Sequence, residues 1–136
     1  MKPTTRLWTA QIVLAALFLF AGITKLLMPA AALEAQAHLP AAFLKFIGVC
    51  ETLGAIGLIV PWLTRIRVEL TPIAAAGLVI IMTGATVITI AQGPMAGAIV
   101  PALVGTIAAY VARGRWQTAR QSVPAHLAPT TLARAA

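Results

Sequence analysis

The chain has 136 residues, of which 60% are hydrophobic and only 10% are charged. Its mean hydropathy of +0.94 excludes the soluble globular class and indicates one small membrane domain. The net charge of +7 does not indicate nucleic-acid binding, because the basic residues fall in short clusters at the ends of apolar runs. A single cysteine, Cys50, excludes a disulfide within one chain.

Four long apolar runs predict an all-α fold, an antiparallel bundle of four transmembrane helices joined by short connections. The predicted helices cover about residues 7–28, 43–62, 71–91 and 95–112, within one transmembrane domain over residues 1–112. Residues 113–136 carry several arginines and no long apolar run, and are interpreted as a basic, mostly disordered cytoplasmic tail, with a helical start as an alternative.

Prolines and polar residues set the predicted helix ends. Pro29 and Pro61 are expected to end the first two helices, since proline cannot continue the backbone ladder. Residues 30–42 are interpreted as a loop, and Thr71-Pro72 as a capped helix start. Pro101, inside the fourth predicted helix, is expected to kink it.

The distribution of basic residues predicts that both termini are cytoplasmic. One side of the bundle carries Lys2, Arg6, Arg65, Arg67 and the arginines of the tail, and the other side carries only Lys25 and Lys45. Cytoplasmic segments are enriched in lysine and arginine, so the richer side is assigned to the cytoplasm.

The first apolar run has an alternative interpretation as a secretory signal peptide, with Ala35-Gln36-Ala37 as a small-residue cleavage site. Signal cores are shorter, at about 7–15 residues. We therefore expect the first helix to be retained.

An intramembrane charged pair, Lys25 and Glu51, is the first candidate site. Lys25 lies about one turn before the end of the first predicted helix, and Glu51 lies near the middle of the apolar run that forms the second. In an antiparallel pair of helices these side chains are expected to meet. Such charges mark proton or ligand sites in many membrane proteins, but a structural ion pair that joins two helices is an equal alternative.

Two further patterns lie on predicted helices. Thr83, Thr86 and Thr89 follow an i, i+3 row that would form a polar lining; hydroxyls bonded to their own helix carbonyls are the favoured alternative. Small residues predict close helix packing at Gly48 and Gly54 in the second helix, and at Gly97 and Gly105 in the fourth.

The remaining side chains predict no metal site and leave any catalytic residue unknown, and the chain is expected to have no activity on its own. His38 and His126 fall on opposite sides of the membrane in the predicted topology and are interpreted as solvated. The sequence has no glycine-rich phosphate loop and no nucleophile–base motif. Trp8 and Trp62 are expected to be interface anchors.

The order of these motifs resembles that of the DoxX-like membrane proteins over roughly residues 7–112. Ala21-Gly22-Ile23-Thr24-Lys25-Leu26 resembles their A-G-x-x-K-L segment. Residues 51–58 resemble their E-x-x-G-A-x-G-L segment, and Leu70-Thr71-Pro72 and residues 82–85 match the pattern of the third helix.

The resemblance implies a four-helix membrane protein associated with redox complexes. The family takes its name from the small subunit of a thiosulfate:quinone oxidoreductase, and other relatives are similar to partners in redox protection or to assembly factors. Paired cysteines and paired histidines are missing here. We therefore expect no cofactor bound by this chain alone, with quinone as the one ligand that the resemblance suggests.

Three functions remain open. The first is a non-catalytic membrane subunit or partner of a quinone-linked redox complex. The second is a transporter or binder of a small hydrophobic molecule or proton that uses Glu51, and the third is an assembly or scaffold protein with no ligand. The expected partners are the bilayer of the plasma membrane and a membrane or soluble oxidoreductase. Nucleic acid is not expected, and self-association is compatible with the sequence.

Overall fold

The computed structural model describes the backbone of residues 3–93 and 95–121 and the side chains of residues 5–93 and 95–120. Five α-helices follow one another: α1 (Pro3–Leu27), α2 (Ala30–Ala37), α3 (Ala41–Thr64), α4 (Leu70–Gln92) and α5 (Ile99–Gln121), with a 3-10 turn at Met95–Ala98. Four segments are long and apolar enough to cross a membrane: Thr5–Leu27, Ala41–Thr64, Leu70–Gln92 and Met95–Arg120. The predicted all-α bundle of four membrane-length helices is confirmed.

The four long helices pack in a closed cycle. α1 packs along α3, α3 against α4, and α4 against α5, which also touches α1. Their shared core contains Leu14, Phe18, Leu58, Leu78, Met82 and Val111. Large apolar side chains such as Phe20, Leu63 and Ile80 are exposed on the outside of the bundle. In a bundle of membrane-length helices that outer surface is the one that faces lipid.

The predicted loop over residues 30–42 is wrong, because its first part forms α2. The segment Ala30–Ala37 is rich in alanine, the strongest helix former, and buries Leu33. α2 ends at His38, whose φ of 52° lies in the left-handed region and whose N–H donates to the Glu34 carbonyl oxygen. The Glu34 side chain also pairs with the start of α3, because its Oε1 accepts a hydrogen bond from the first N–H of that helix, that of Ala41, at 2.9 Å.

The predicted end of the second helix at Pro61 is also wrong. α3 continues through a buried Pro61 to Thr64. Because Pro61 has no N–H, the carbonyl oxygen of Gly57 lacks the donor that a helix normally supplies. Thr71 Oγ1 donates to that oxygen at 3.1 Å. Thr71, predicted as a cap, therefore lies inside α4 and bridges it to α3.

The last helix begins later and ends later than predicted. Pro101 lies in the first turn of α5, directly after the 3-10 turn, where proline requires no kink. α5 continues past residue 112 to Gln121, because Ala108, Val111, Arg115 and Ala119 form one buried face. Residues 122–136, the rest of the predicted tail, lie outside the described residues.

Candidate functional site

The structure brings Lys25 and Glu51 together. Lys25 Nζ lies 2.7 Å from Glu51 Oε2, within range of a charge-assisted hydrogen bond. The two side chains differ in their surroundings, because that of Glu51 is 2% exposed and that of Lys25 is 28% exposed. The carboxylate is therefore held inside the bundle, while the ammonium remains accessible.

Two glycines set the distance between the helices that carry this pair. A Cβ built on Gly22 in α1 would lie 2.7 Å from the carbonyl oxygen of Gly48 in α3, and a Cβ on Gly48 would lie 3.0 Å from the Gly22 carbonyl oxygen. Only hydrogen atoms fit between the two backbones at this crossing. Gly22 and Gly48 each lie three residues before a member of the pair, so the crossing places Lys25 against Glu51.

An apolar cleft lies beside the pair, between α1, α3 and α4, with α2 across one end. Its volume is about 920 Å³, at the upper end of the ~300–1,000 Å³ typical of ligand pockets. The walls include Phe20 of α1, Phe46 of α3 and Ile80 and Ile88 of α4. The close contacts of Gly54 with Leu78 and of Gly57 with Ala74 lie between the cleft and the other end of α3 and α4.

Lys25 and Glu51 both line this cleft. Among the described residues, no hydrogen bond to Glu51 Oε1 is found, since the one that Lys25 donates goes to Oε2. Lys25 carries three N–H donors and uses one of them on Glu51. The pair thus provides the cleft with unused N–H donors and a carboxylate acceptor. A few polar groups within an apolar wall are typical of small-molecule sites.

The threonine row does not form a common polar lining. The hydroxyls of Thr83, Thr86 and Thr89 donate to the carbonyl oxygens four residues earlier in α4, at 2.8, 2.7 and 2.7 Å. Thr89 lines the cleft, and neither Thr83 nor Thr86 does so. The arrangement matches the back-bonding alternative.

The other predicted packing glycines lie at helix contacts. A Cβ on Gly54 would lie 2.7 Å from Leu78 Cδ2 in α4, and one on Gly105 would lie 3.1 Å from Met82 Cβ. A Cβ on Gly97 would lie 3.0 Å from Thr89 Cγ2. By contrast, Gly77 and Gly84 on α4 have no atom within 4 Å of such a Cβ, and Gly84 lines the cleft.

A second polar cluster, missed by the sequence analysis, lies at the opposite end of the bundle. Arg115 of α5 is only 1% exposed, and its Nε donates to Gln11 Oε1 at 2.6 Å. Gln11 Nε2 in turn donates to the Leu58 carbonyl oxygen. The guanidinium carbon lies 4.1 Å from the ring centre of Trp62 and 4.9 Å from that of Trp8, so this arginine is held by cation–π contacts.

Two sequence signals could have found this cluster. Arg115 falls four residues after Val111, on the spacing of the buried face of α5, and Gln11 is the one amide in α1. Trp8 and Trp62, predicted as interface anchors, are half-buried and lie 6.4 Å apart in an edge-to-face contact. Among the arginines of residues 113–120, the buried position of Arg115 was not recognised from the sequence.

The predicted solvated histidine His38 is exposed and lies at the rim of the cleft, where α2 ends. His126 lies outside the described residues. Cys50 is a free, half-buried thiol. Within residues 3–93 and 95–121, no group of three or more His, Cys, Asp or Glu side chains is placed to hold a metal ion.

One comparison, with models of protein families, identifies a family for this chain. The sequence model of the DoxX-like family matches residues 9–111, which include the Lys25–Glu51 pair, the second and third membrane-length helices, and most of the first and the last. The comparisons with curated proteins and with solved structures gave no match.

Proposed function

The chain belongs to the DoxX-like family, and from that premise and from the cleft at Lys25–Glu51 we propose that it binds a small hydrophobic molecule with a polar head group inside the membrane. One observation carries the proposal: an ion pair forms part of the wall of an apolar cleft of about 920 Å³. A purely structural ion pair needs no such space beside it, whereas a binding site needs both an apolar volume and a few polar groups.

The ligand class that we propose first is the quinones, in their oxidised or their reduced hydroquinone form. Their apolar substituents match the walls formed by Phe20, Phe46 and Ile80, all of which are exposed at the bundle surface, so a tail can extend into lipid. A ring oxygen can accept a hydrogen bond from Lys25 Nζ. A bound quinone would supply electron and proton exchange, and the residues of this chain would hold and orient it.

The cellular role that we propose is that of a non-catalytic membrane subunit or partner of a quinone-linked redox complex in the plasma membrane. Family membership supports it, because the family takes its name from such a subunit. Co-purification from native membrane, with the partners identified by mass spectrometry, tests this role. Recovery of an oxidoreductase supports it. A stable complex that contains no oxidoreductase and is insensitive to Glu51→Gln favours the scaffold role instead.

Ligand binding is tested with a short-chain alkyl-benzoquinone and the purified protein in lipid nanodiscs. A ligand that binds only the folded state raises the thermal midpoint according to its concentration and Kd. The blocking variant is Gly84→Phe, which places a ring in the cleft from a position with nothing within 4 Å of a Cβ. Its matched control is Gly77→Phe, on the same helix, equally open and outside the cleft.

We expect the probe to raise the thermal midpoint of the wild type and of Gly77→Phe, and to leave that of Gly84→Phe unchanged. An unchanged midpoint in the wild type, together with no hydrophobic molecule in an organic extract of the purified protein, contradicts the proposal. An equal response in all three proteins places the binding outside the cleft and also contradicts it.

A further inference from the structure

The Lys25–Glu51 pair presents a donor and an acceptor side by side, and this combination selects among polar head groups. We infer that the cleft prefers molecules whose head carries a hydroxyl group, such as phenols and hydroquinones, over molecules whose head carries oxygen acceptors only, such as aryl ethers and quinones. The inference rests on the proposed function, because it requires a ligand in the cleft.

The preference comes from the free oxygen of Glu51. An ionised carboxylate only accepts hydrogen bonds, and Oε1 receives none from the described residues. A head-group hydroxyl can donate to this oxygen. A quinone or ether oxygen cannot, and it would leave two acceptors facing each other in an apolar cleft. An unmade hydrogen bond of this kind in a buried site is unfavourable.

Lys25 completes the recognition of a hydroxyl group. Its ammonium lies on the cleft wall with two N–H groups not used by Glu51. One hydroxyl can therefore donate to Glu51 Oε1 and accept from Lys25 Nζ at the same time. Because the pair has no net charge, the head group that fits it is neutral.

The Glu51 carboxylate is a stronger acceptor for a head-group hydroxyl than the neutral groups of the cleft, because hydrogen bonds to an ionised group are about twice as strong as those to a neutral one. The neutral acceptors that line the cleft belong to Thr24, Gln36, His38, Thr89 and Gln92. Thr24 Oγ1 donates to the Phe20 carbonyl oxygen at 2.7 Å, and Thr89 Oγ1 donates to that of Ala85. Both hydrogens are used within their own helices. Discrimination by a hydroxyl donor is thus expected to depend on Glu51.

The experiment measures equilibrium Kd values of two matched pairs of probes with the protein in nanodiscs. The first pair is para-octylphenol and para-octylanisole, its methyl ether. The second pair is an alkyl-hydroquinone, kept under argon, and the corresponding alkyl-benzoquinone. We expect the wild type to bind the hydroxylated member of each pair about tenfold or more tightly, the ratio expected for one lost hydrogen bond.

The variant that tests the assignment is Glu51→Gln. Its amide carries both a donor and an acceptor, so the Kd ratio of each pair should fall to about threefold or less, since an acceptor-only head then also finds a partner. The double variant Lys25→Met/Glu51→Gln removes both charges, which guards against a folding defect from an unpaired lysine. It should show the same loss of discrimination, and the control Gly77→Leu should retain the wild-type ratio.

The outcomes separate this inference from the proposed function. Equal Kd values for both members of a pair in the wild type overturn the inference while the proposed function stands. A preference for the phenol without a preference for the hydroquinone overturns it too, because the ether methyl would then be excluded by size. Discrimination that persists in both the single Glu51→Gln variant and the double variant shows that Glu51 is not its source. If none of the four probes binds, the proposed function fails as well.

Discussion

The two members of the Lys25–Glu51 pair depend on each other unequally. Glu51 is enclosed by the bundle, whereas Lys25 is partly accessible and close to the end of α1. Removing the lysine leaves a carboxylate with no counter-charge in an apolar interior. Removing the carboxylate leaves a lysine that can extend toward the polar headgroups.

We therefore predict that Lys25→Leu lowers thermal stability in detergent more than Glu51→Leu does. An unpaired buried charge typically costs about 3–5 kcal/mol, which Lys25→Leu incurs in full unless Glu51 takes up a proton. The double variant should recover most of the loss. Additive effects of the two single changes would contradict the pairing, because residues in contact show coupling. If ligand binding stays absent when stability returns, the pair is functional as well as structural.

Arg115 differs from this pair, because its buried charge has no carboxylate partner among the described residues. Its only hydrogen bond there goes to Gln11, and its Nη2 atom is buried without a partner in that part of the chain. The free energy of the cluster therefore depends on one amide and two indole rings.

For this cluster we predict that Gln11→Leu is more destabilising than Arg115→Met. The first change leaves the buried guanidinium without its hydrogen bond, which costs more than the about 1–3 kcal/mol of a neutral group because the guanidinium is charged. The second leaves a neutral amide oxygen unpaired, at about 1–3 kcal/mol, and replaces the cation–π contacts with sulfur–aromatic contacts to the same indole rings. The double variant should unfold close to the wild-type temperature, since an apolar pair replaces a polar one. Arg113→Met, an exposed arginine on the same helix, is the control and should change little. A milder effect of Gln11→Leu than of Arg115→Met would refute this account.

The two polar clusters differ in how much of them the sequence reveals. A carboxylate in the middle of an apolar run is costly anywhere in a membrane, so Glu51 stands out from its neighbours. Lys25 is the nearest basic residue on the adjacent antiparallel helix. Arg115, in contrast, follows the last apolar run and lies among other arginines. In such a segment the sequence alone does not distinguish a buried arginine from solvated ones.

A hydrogen bond joins α3 and α4, and it forms because a proline removes a backbone donor from α3. Pro61 removes the donor for the Gly57 carbonyl oxygen, and Thr71 replaces it from α4. In the hydrocarbon region of a membrane, no water is present to donate a hydrogen bond to an unpaired backbone carbonyl. The hydroxyl of the threonine near the start of α4 thus replaces the N–H that the proline inside α3 lacks.

We predict that Thr71→Val lowers stability by about 0.6–1.7 kcal/mol, the range of hydrogen bonds between membrane helices. In a Pro61→Ala background the same change should cost almost nothing, since the new N–H can donate to Gly57. Thr83→Val is the control, because that hydroxyl is exposed and bonds only within α4. Thermal unfolding of the wild type, Thr71→Val, Pro61→Ala and the double variant measures the coupling. An equal cost of Thr71→Val in both backgrounds would show that Pro61 is not the reason for the contact.

Hydropathy predicted which segments form the membrane-length helices, but it did not predict the residues at which these helices end. The apolar runs locate all four membrane-length helices, because crossing a bilayer needs about 20 apolar residues. Proline misled the prediction at Pro61, since a side chain from another helix satisfies the freed carbonyl there. The alanine-rich α2 was missed because Ala30–Ala37 has no hydrophobic periodicity and buries only Leu33. The cleft was also not predictable, as it depends on how three helices diverge.

The whole molecule has two chemically different ends. One end, here called the arginine end, carries Arg6, Arg65, Arg67, Arg113 and Arg120, together with the Arg115 cluster. The other end carries the cleft, with Lys25, Glu51 and the α2 helix across it. An even number of membrane-length helices in an antiparallel bundle places the start of α1 and the end of α5 together at the arginine end.

The orientation of these ends in the membrane is the last prediction. Because lysine and arginine are retained on the cytoplasmic side, the arginine end should be cytoplasmic, and α2 with the cleft should lie toward the outer leaflet. Two exposed positions distinguish the orientations in a Cys50→Ser background: Gln36 on α2 and Gln117 on α5. We expect Gln36→Cys to react with a membrane-impermeant maleimide on intact cells, and Gln117→Cys to react only after permeabilisation. The reverse pattern would invert the molecule, and a ligand would then reach Lys25 and Glu51 from the cytoplasmic leaflet.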